Sequence, residues 1–287
     1  EMMGQKVFGS AADKVVVEEY LTGIEASMLC FVDENSIVPM ESAQDYKRIF
    51  DGDKGPNTGG MGTYSPSLVF TPELEEQIRE TILEPTLKGF QKDGLDFRGV
   101  LFIGLMISED GPKVIEFNNR FGDPETQSVL PRLESDLLDI FVAVTENRLA
   151  DVEIKWSDEK AVCVVAASGG YPGSYEKGKV ISGLDDVDDD VIVFHAGTAA
   201  KDAGQCEAEA RAGAGCGCCC SGGASASGAG AAEGAGTVIV TSGGRVLGVT
   251  ALGKTHEEAR AKAYDNIRRI SFDGMQYRKD IGTINRR

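Results

Sequence analysis

The sequence has little positive charge. Lysine and arginine number 29 against 46 acidic residues, and the formal net charge at pH 7 is −17. Proteins that hold nucleic acid nonspecifically need basic surface to displace the counterions of the phosphates. We therefore expect no nucleic-acid partner. A site for an anionic substrate would have to gather its positive charge locally.

Long apolar runs are missing as well. The longest, around residues 100–107, is interrupted by Gly104 and is far too short to span a bilayer. Hydrophobic residues still make up 41% of the 287 residues, enough to bury a substantial core in one or two domains. We expect no membrane partner and a cytoplasmic location, with the plastid as the alternative.

Histidine is scarce, with His195 and His256 the only two in the chain. Their positions are a predicted strand end and a predicted helix start, and neither belongs to a catalytic motif. We therefore interpret both as structural rather than catalytic.

A strand with a polar face is predicted at residues 113–118. Side chains two apart on a strand point to the same side, so the carboxylate of Glu116 and the amide oxygen of Asn118 converge, while Ile115 and Phe117 face the other side. Mg²⁺ prefers hard oxygen ligands, one or two from protein and the rest from water and phosphates. The pair indicates a magnesium nucleotide site. The alternative is the solvated face of an edge strand.

Two polar segments accompany this strand. Residues 55–62 hold four glycines, whose backbone can approach a ligand closely and donate N–H groups to oxyanions. Directly after the strand, Asp123 can cap a helix that Pro124 opens, and such a helix start attracts anions. Residues 44–48 add an acid and two bases, for which a solvated charge cluster is the alternative.

Together these segments resemble the phosphoribosylamine–glycine ligases (glycinamide ribonucleotide synthetases) of the ATP-grasp superfamily. The resemblance runs from residue 1 to about 202 and resumes at about 237. It rests on four motifs and a C-terminal signature: V-V-E-E-Y-L at 16–21, Q-D-Y-K-R at 44–48, G-P-N-T-G-G-M-G at 55–62, V-I-E-F-N-N-R-F-G-D-P-E at 114–125 and G-M-Q-Y-R-K-D-I-G at 274–282.

The resemblance implies an α+β protein with two domains. Residues 1–150 would form the C-terminal part of an ATP-grasp domain, with the nucleotide, magnesium and substrate sites, and residues 151–287 a small C-terminal β-rich domain. Residues 203–236 are a tract of Ala, Gly, Ser and Cys with too few large apolar residues to pack a core. We interpret the tract as a low-complexity insertion. A metal–thiolate site is the alternative, although three consecutive cysteines have poor ligand geometry.

Apolar periodicity and turn residues place the main elements. We expect neighbouring strands at 14–20 and 26–32, and a hairpin of strands at 99–107 and 113–118. Helices are expected from Pro72 to about residue 91, capped by Thr71, and at 135–147. Short strands at 161–166, 191–194 and 246–250 precede a last helix that opens with a capping box at 255–258.

The activity implied by the resemblance is ATP-dependent ligation of glycine to 5-phosphoribosylamine in de novo purine biosynthesis. The carboxylate of glycine would attack the γ-phosphate of ATP to give glycyl phosphate. The amine of 5-phosphoribosylamine would then give glycinamide ribonucleotide, with ADP and phosphate released. ATP and Mg²⁺ (or Mn²⁺) are the implied cofactors.

The family's site residues carry over position by position. Glu116 and Asn118 would hold the metal, with Gly104 near the place where many ATP-grasp enzymes have a third acidic ligand. The implied nucleotide-binding residues are Glu18, Glu19, Tyr20 and Leu21 at the adenine and Glu25 at the ribose. Arg120 and Asp123 are the implied catalytic residues, and either Asp45 or Asp123 would hold the ammonium of glycine. The implied substrate-binding residues are Asp45, Lys47, Arg48, Asn57, Thr58, Gly59, Gly60 and Gly122.

Compared with the family, the chain lacks an N-terminal α/β domain and the segment with the first ATP-binding lysine and a flexible glycine-rich loop. We therefore expect a missing N-terminal portion of the same enzyme as its partner, and we expect the chain alone to be inactive. The alternatives are an inert nucleotide-binding remnant or interaction module, and another ATP-grasp carboxylate–amine ligase.

Overall fold

The computed structural model describes residue 5, residues 9–202 and residues 236–283. The predicted low-complexity insertion at 203–236 lies, apart from Gly236, outside the described residues. The remainder is an α+β structure, as predicted.

The first sheet has four antiparallel strands in the order β2-β1-β7-β8. These strands are β1 (Ile24–Val32), β2 (Ile37–Pro39), β7 (Gly99–Ser108) and β8 (Gly111–Asn118). The predicted hairpin of β7 and β8 is confirmed, and so is the strand at 26–32. The strand predicted at 14–20 is wrong. Its Val16 and Val17 side chains are 85% and 90% exposed, and β1 already has β2 and β7 on its two edges.

The central strands β1 and β7 are buried on both faces over most of their length, which explains their nearly continuous apolar sequences. Leu29 and Phe31 of β1 face one core, which is closed by helix α4 (Leu137–Thr145). Met28 and Cys30 alternate with them and face a second core under the helices that follow residue 71. The helix predicted at 135–147 is thus confirmed within two residues, and its apolar stripe packs against the first face.

The long helical segment after Thr71 consists of α1 (Pro72–Ile78), a π-helical stretch (Arg79–Leu83) and α2 (Glu84–Asp93). Thr71 caps it as predicted, because its side chain accepts a hydrogen bond from the backbone N–H of Leu74 at 3.2 Å. The wider turn comes directly before Pro85, whose ring and missing N–H disfavour an ordinary α-helical bond. Gly94 ends the segment in the left-handed region.

The second sheet is antiparallel, with the order β10-β13-β9-β6-β3. Its strands are β3 (Gln44–Asp45), β6 (Gly62–Ser65), β9 (Lys160–Ala167), β10 (Val191–His195) and β13 (Arg245–Gly253), and α5 (His256–Ile267) packs on one face. Strands from both sides of residue 150 therefore share one sheet. The domain boundary at 150 stays a prediction.

Smaller elements complete the described chain. β4 (Arg48–Phe50) and β5 (Lys54–Asn57) form a hairpin, and β11 (Thr198–Asp202) pairs in antiparallel fashion with β12 (Thr237–Thr241). One short helix, α3 (Thr126–Val129), follows the motif at 114–125, and short 3₁₀ turns lie at Gly9–Asp13, Leu130–Arg132, Leu149–Asp151 and Leu184–Asp186. Among the helices in the described ranges, none has the length and apolar character needed to cross a bilayer.

We expect Thr71→Ala to lower the free energy of unfolding by about 1 kcal/mol, because the helix loses the side chain that satisfies an N-terminal N–H group. Thr81→Ala is the matched control, since Thr81 lies inside the same helical segment and is exposed. It should change stability by less than about 0.5 kcal/mol. Urea denaturation followed by circular dichroism measures both, and equal effects of the two changes would contradict the cap.

Candidate active site

The predicted metal pair lies at the end of β8. The amide Nδ2 of Asn118 donates a hydrogen bond of 3.1 Å to Oε1 of Glu116, so the two side chains converge as expected. Glu116 is exposed and Asn118 is half-buried. The amide Oδ1 of Asn118 and both carboxylate oxygens of Glu116 are hard oxygen donors of the kind that Mg²⁺ accepts.

Gly104 gives the side chain of Glu116 room to lie over β7. Across the first sheet, Glu116 of β8 is in register with Gly104 of β7, which is in register with Ser27 of β1. Residues in one such row point to the same face. A Cβ at position 104 would approach Cγ of Glu116 to 3.2 Å. Glu116 and Ser27 therefore lie on the same face of the sheet, about 10 Å apart, which is two strand spacings.

Within the described residues, no group of three or more histidine, cysteine, aspartate or glutamate side chains could hold a metal. A cation at Glu116 and Asn118 would have two protein ligands. Two ligands fit Mg²⁺, which usually retains water and substrate phosphate oxygens in its shell.

The segment predicted to bind adenine, residues 18–21, is called the hinge below; it has no regular structure and is largely exposed, with Tyr20 89% exposed. Glu19 forms an ion pair with Lys113 of β8 at 3.2 Å, so the hinge passes beside the strand that carries the metal pair. Glu25, the predicted ribose ligand, lies on β1 and forms an ion pair with Lys47 at 3.0 Å.

Lys47 stands among three carboxyl groups. Burial lowers its pKa, but the hydrogen bond to Glu25 and the charges of Glu25, Asp45 and Glu125 raise it, and the net direction is upward. Lys47 is therefore a permanent cation at neutral pH. Lys47 is thus a cation of this part of the site, and the carboxyl groups around it offset much of its charge.

The glycine-rich loop is held by residues that sequence reasoning missed. Nη1 of Arg245, on β13, donates to the carbonyl oxygens of Gly59 at 2.6 Å and Asp123 at 2.8 Å, and Nη2 donates to the Asp123 carboxylate at 3.0 Å. The hydroxyl of Tyr171 accepts a hydrogen bond from the N–H of Gly59. The only sequence signal for Arg245 was a lone arginine after two glycines.

Gly60 packs directly against Asp45 and against the turn at residues 123–125, which we call the acidic turn. Its φ of 109° favours glycine, and a Cβ there would lie 2.6 Å from Oδ1 of Asp45 and would clash with the ring of Pro124. Thr58 fixes the loop from inside, because its hydroxyl accepts from the N–H of Gly60 and donates to the carbonyl of Lys47. Gly122 is constrained in the same way, by the carboxylate of Glu125.

The predicted capping role of Asp123 is wrong. Its carboxylate accepts hydrogen bonds from the side chains of Gln127 and Arg245, and the four-residue helix α3 has Glu125 at its N-cap position without a side-chain cap. Arg120 is exposed, with its guanidinium 5.8 Å from the centre of the Phe102 ring and donating to the carbonyl of Phe121. Arg120 is therefore available to an anion.

Asp45 and Glu125 form a buried carboxyl pair. Burial raises the pKa of both groups, and the charge of Glu125 raises that of Asp45 further, although Lys47 and Arg245 oppose this. Oε1 of Glu125 accepts a hydrogen bond of 2.9 Å from Ser27. Oδ1 of Asp45 is buried and has no hydrogen-bond partner among the described residues. An unsatisfied buried acceptor of this kind is uncommon and marks a place for a proton or a donor.

The remaining predicted substrate residues lie on the hairpin before the loop. Arg48 and Asn57 are paired across β4 and β5, and both are exposed. The structure thus brings together the loop 57–60, Asp45, Lys47, Asp123 and the row that leads to Glu116. Their binding and catalytic roles stay predictions.

Two family models match the chain. Residues 1–126 match the phosphoribosylglycinamide synthetase ATP-grasp (A) domain, and residues 161–284 match the phosphoribosylglycinamide synthetase C domain.

The chain belongs to the phosphoribosylglycinamide synthetase family. It is 45% identical over 280 residues to a phosphoribosylamine–glycine ligase of Caldanaerobacter subterraneus, with 98% of the chain and 59% of the relative covered. It is 46% identical over 286 residues to a chloroplastic phosphoribosylamine–glycine ligase of Arabidopsis thaliana, with 98% and 48% covered.

Solved structures agree with this family assignment. The crystal structure of phosphoribosylamine–glycine ligase from Thermotoga maritima superposes with a TM-score of 0.69 at 33% identity, covering 92% of this chain and 56% of that one. The chain thus spans about three-fifths or less of the length of these members of the synthetase family.

We expect Asp45→Asn to reduce the pH dependence of stability. The raised pKa of the Asp45 carboxyl means that the folded state binds its proton more tightly than the unfolded chain, so this contribution to stability is complete below the usual carboxyl value of 3.8 and is lost as pH rises through the raised pKa. The variant should therefore gain stability relative to the unchanged protein as pH rises above about 4.

Urea denaturation between pH 4 and 8 measures this difference. Asp185→Asn, at an exposed position in the second half of the chain, is the control and should leave the pH profile unchanged. Parallel pH profiles of stability for the unchanged protein and Asp45→Asn would contradict the raised pKa of the Asp45 carboxyl.

Proposed function

We propose that this chain provides the metal and substrate sites of an enzyme that ligates glycine to 5-phosphoribosylamine with ATP, giving glycinamide ribonucleotide, ADP and phosphate. One observation carries the proposal: one face of the first sheet holds Glu116 in a cross-strand row with Gly104 and Ser27, and the Ser27 hydroxyl donates a hydrogen bond to Glu125. The similarity to phosphoribosylamine–glycine ligases supports the same reaction.

ATP would bind between the hinge at residues 18–21 and the pair at Glu116 and Asn118. Mg²⁺ or Mn²⁺ bound to that pair would offset charge on the phosphates and help to position them. Glu25 suits the ribose hydroxyls because its carboxylate projects from β1, half-exposed beside the hinge. Arg120, stacked beside Phe102 and exposed, would meet the phosphoryl group or a carboxylate bidentately.

Glycine would bind with its ammonium at Asp45. Of the two carboxylates predicted for that role, Asp123 already accepts hydrogen bonds from Arg245 and Gln127, whereas Oδ1 of Asp45 has no partner among the described residues. A bound ammonium would satisfy that oxygen and hold the Asp45 carboxyl ionised. The carboxylate of glycine would then extend towards the γ-phosphate, where the acyl phosphate forms.

5-Phosphoribosylamine would bind along residues 57–60 and the cations next to them. Lys47 and Arg48 would attract its phosphate, and the backbone of the glycine loop leaves room for a close approach. Once the amine attacks the acyl carbon, the C–N bond forms, phosphate leaves with the electron pair of the C–O bond, and the amine releases one proton. The Glu125 carboxylate, in its ionised form beside Lys47, would accept that proton.

No observation favours the inert remnant or another ATP-grasp ligase over this reaction. We also propose that the protein works in the cytoplasm or, as in the name of the Arabidopsis relative, in a plastid.

We expect Glu116→Gln to lower kcat on the order of 100-fold, because an amide cannot supply the anionic oxygen that holds the metal against the phosphates. The assay is ADP release that depends on glycine and 5-phosphoribosylamine. It uses a completed protein, in which this chain is joined to the part of the Caldanaerobacter relative that it does not match.

Glu109→Gln removes a carboxylate from the turn of the same hairpin and is the control. It should keep kcat within twofold. A Glu116→Gln variant with unchanged kcat and unchanged magnesium dependence would contradict the metal assignment. A completed protein without glycine-dependent ADP release would contradict the proposed reaction.

A further inference from the structure

Arg278, in the C-terminal signature at 274–282, is a buried cation whose side chain is 1% exposed. Its Nε and Nη2 donate to the two carboxylate oxygens of Asp280 at 2.7 and 2.6 Å, and Nη1 donates to the Asp53 carboxylate at 2.9 Å and to the carbonyl of Arg48 at 3.0 Å. The guanidinium also lies 4.9 Å from the centre of the Tyr46 ring. All of its hydrogen-bonding groups point at residues 46–53 or at its own turn.

The neighbouring residues of the signature bind the same hairpin. The N–H of Gly52 donates to Asp280 at 2.8 Å, and the N–H of Lys279 donates to the Asp51 carboxylate at 2.7 Å. Residues 278–280 therefore contact the carbonyl, the carboxylates and an amide of the β4–β5 hairpin at four places. These contacts join segments more than 220 positions apart in the sequence.

The hairpin needs such support because it buries little of its own surface. Of β4 and β5, only Ile49 is buried, and a two-stranded hairpin alone is marginal in water. Asp53 at its turn has a φ of 54°, a region that aspartate and asparagine tolerate better than most residues. Strand pairing alone does not account for a fixed position of this segment.

The hairpin is continuous with the proposed substrate site. The N–H and hydroxyl of Thr58 both bond to the carbonyl of Lys47 at 2.8 Å, so the start and the end of the hairpin are tied together at the glycine loop. A shift of residues 48–57 would displace Lys47 on one side and Thr58 on the other.

We propose that Arg278 is a positioning residue: with Asp280 it holds the β4–β5 hairpin through Arg48 and Asp53, and so sets the place of Lys47 and residues 57–60 for the anionic substrate. This inference rests on the proposed function for its effect on catalysis. The structural part, that the C-terminal signature holds the hairpin, does not. Arg278 itself touches no predicted substrate position with its side chain except through the backbone of Arg48.

The first test is native-state hydrogen exchange on this chain. Asp53→Asn removes one charge at an exposed position and keeps a side chain that tolerates the positive φ. Arg278→Lys keeps the positive charge but loses the planar guanidinium group with its several N–H donors. Both changes should speed exchange of the amides in residues 48–58 at least fivefold and leave β7 and β8 unchanged. Arg268→Lys is the control, because Arg268 pairs with the exposed Asp265 and should alter neither region.

Unchanged exchange at 48–58 in Asp53→Asn and Arg278→Lys would overturn the proposal. If Arg278→Lys unfolds the whole domain, the result with Asp53→Asn alone decides whether the proposal stands. The Asp53 side chain is 72% exposed, and Arg278 stays paired with Asp280 when the Asp53 carboxylate is removed.

The second test is kinetic and uses the completed protein. Asp53→Asn should raise the KM for 5-phosphoribosylamine at least fivefold, with kcat and the KM for ATP within twofold, and Arg278→Lys should act in the same direction. A fall in kcat with every KM unchanged, or an equal rise in all KM values, would overturn the positioning role. Completed protein without any glycine-dependent ADP release would instead refute the proposed function, and the exchange experiment would still report on the hairpin.

Discussion

The candidate site depends on one guanidinium, that of Arg245. It donates to the backbone of Gly59 and to both the backbone and the carboxylate of Asp123, which lie 64 positions apart in the sequence. Without it, the carbonyl groups of Gly59 and Asp123 and the carboxylate of Asp123 would lose the donor that they share. With it, Gly60 can pack onto Asp45 closely enough that no side chain fits between them. The site geometry thus depends on a residue of β13 that is distant in the sequence from the glycine loop it contacts.

Electrostatics follow from the same arrangement. Two carboxyl groups, Asp45 and Glu125, are buried near each other, and two cations, Lys47 and Arg245, oppose their charge. A chain with a net charge of −17 thereby places two cations, each paired with a carboxylate, next to an acid whose pKa is raised. The proposed ligand glycine, a zwitterion, would need groups of both signs in one site.

Much of the fold could be predicted from the sequence, because the patterns were strong and local: the β7–β8 hairpin, the helix after Thr71 with its cap, and the convergence of Glu116 with Asn118. The strand predicted at 14–20 failed because valine-rich composition says nothing about whether a sheet edge is free to pair. Capping by Asp123 failed because a distant arginine competes for its carboxylate. Arg245, Arg278 and the buried state of Glu125 could not be predicted, since their roles come from contacts across 98 to 230 positions.

The most direct test of this account is the coupling energy between Arg245 and Asp123 in a double-mutant cycle. The free energies of unfolding of the unchanged chain, Arg245→Met, Asp123→Asn and the double variant would be measured by urea denaturation. We predict a favourable coupling of about 1 kcal/mol, as expected for two residues in one hydrogen-bonded network. Additive effects, with a coupling below about 0.3 kcal/mol, would contradict the claim that Arg245 holds the two loops of the site together.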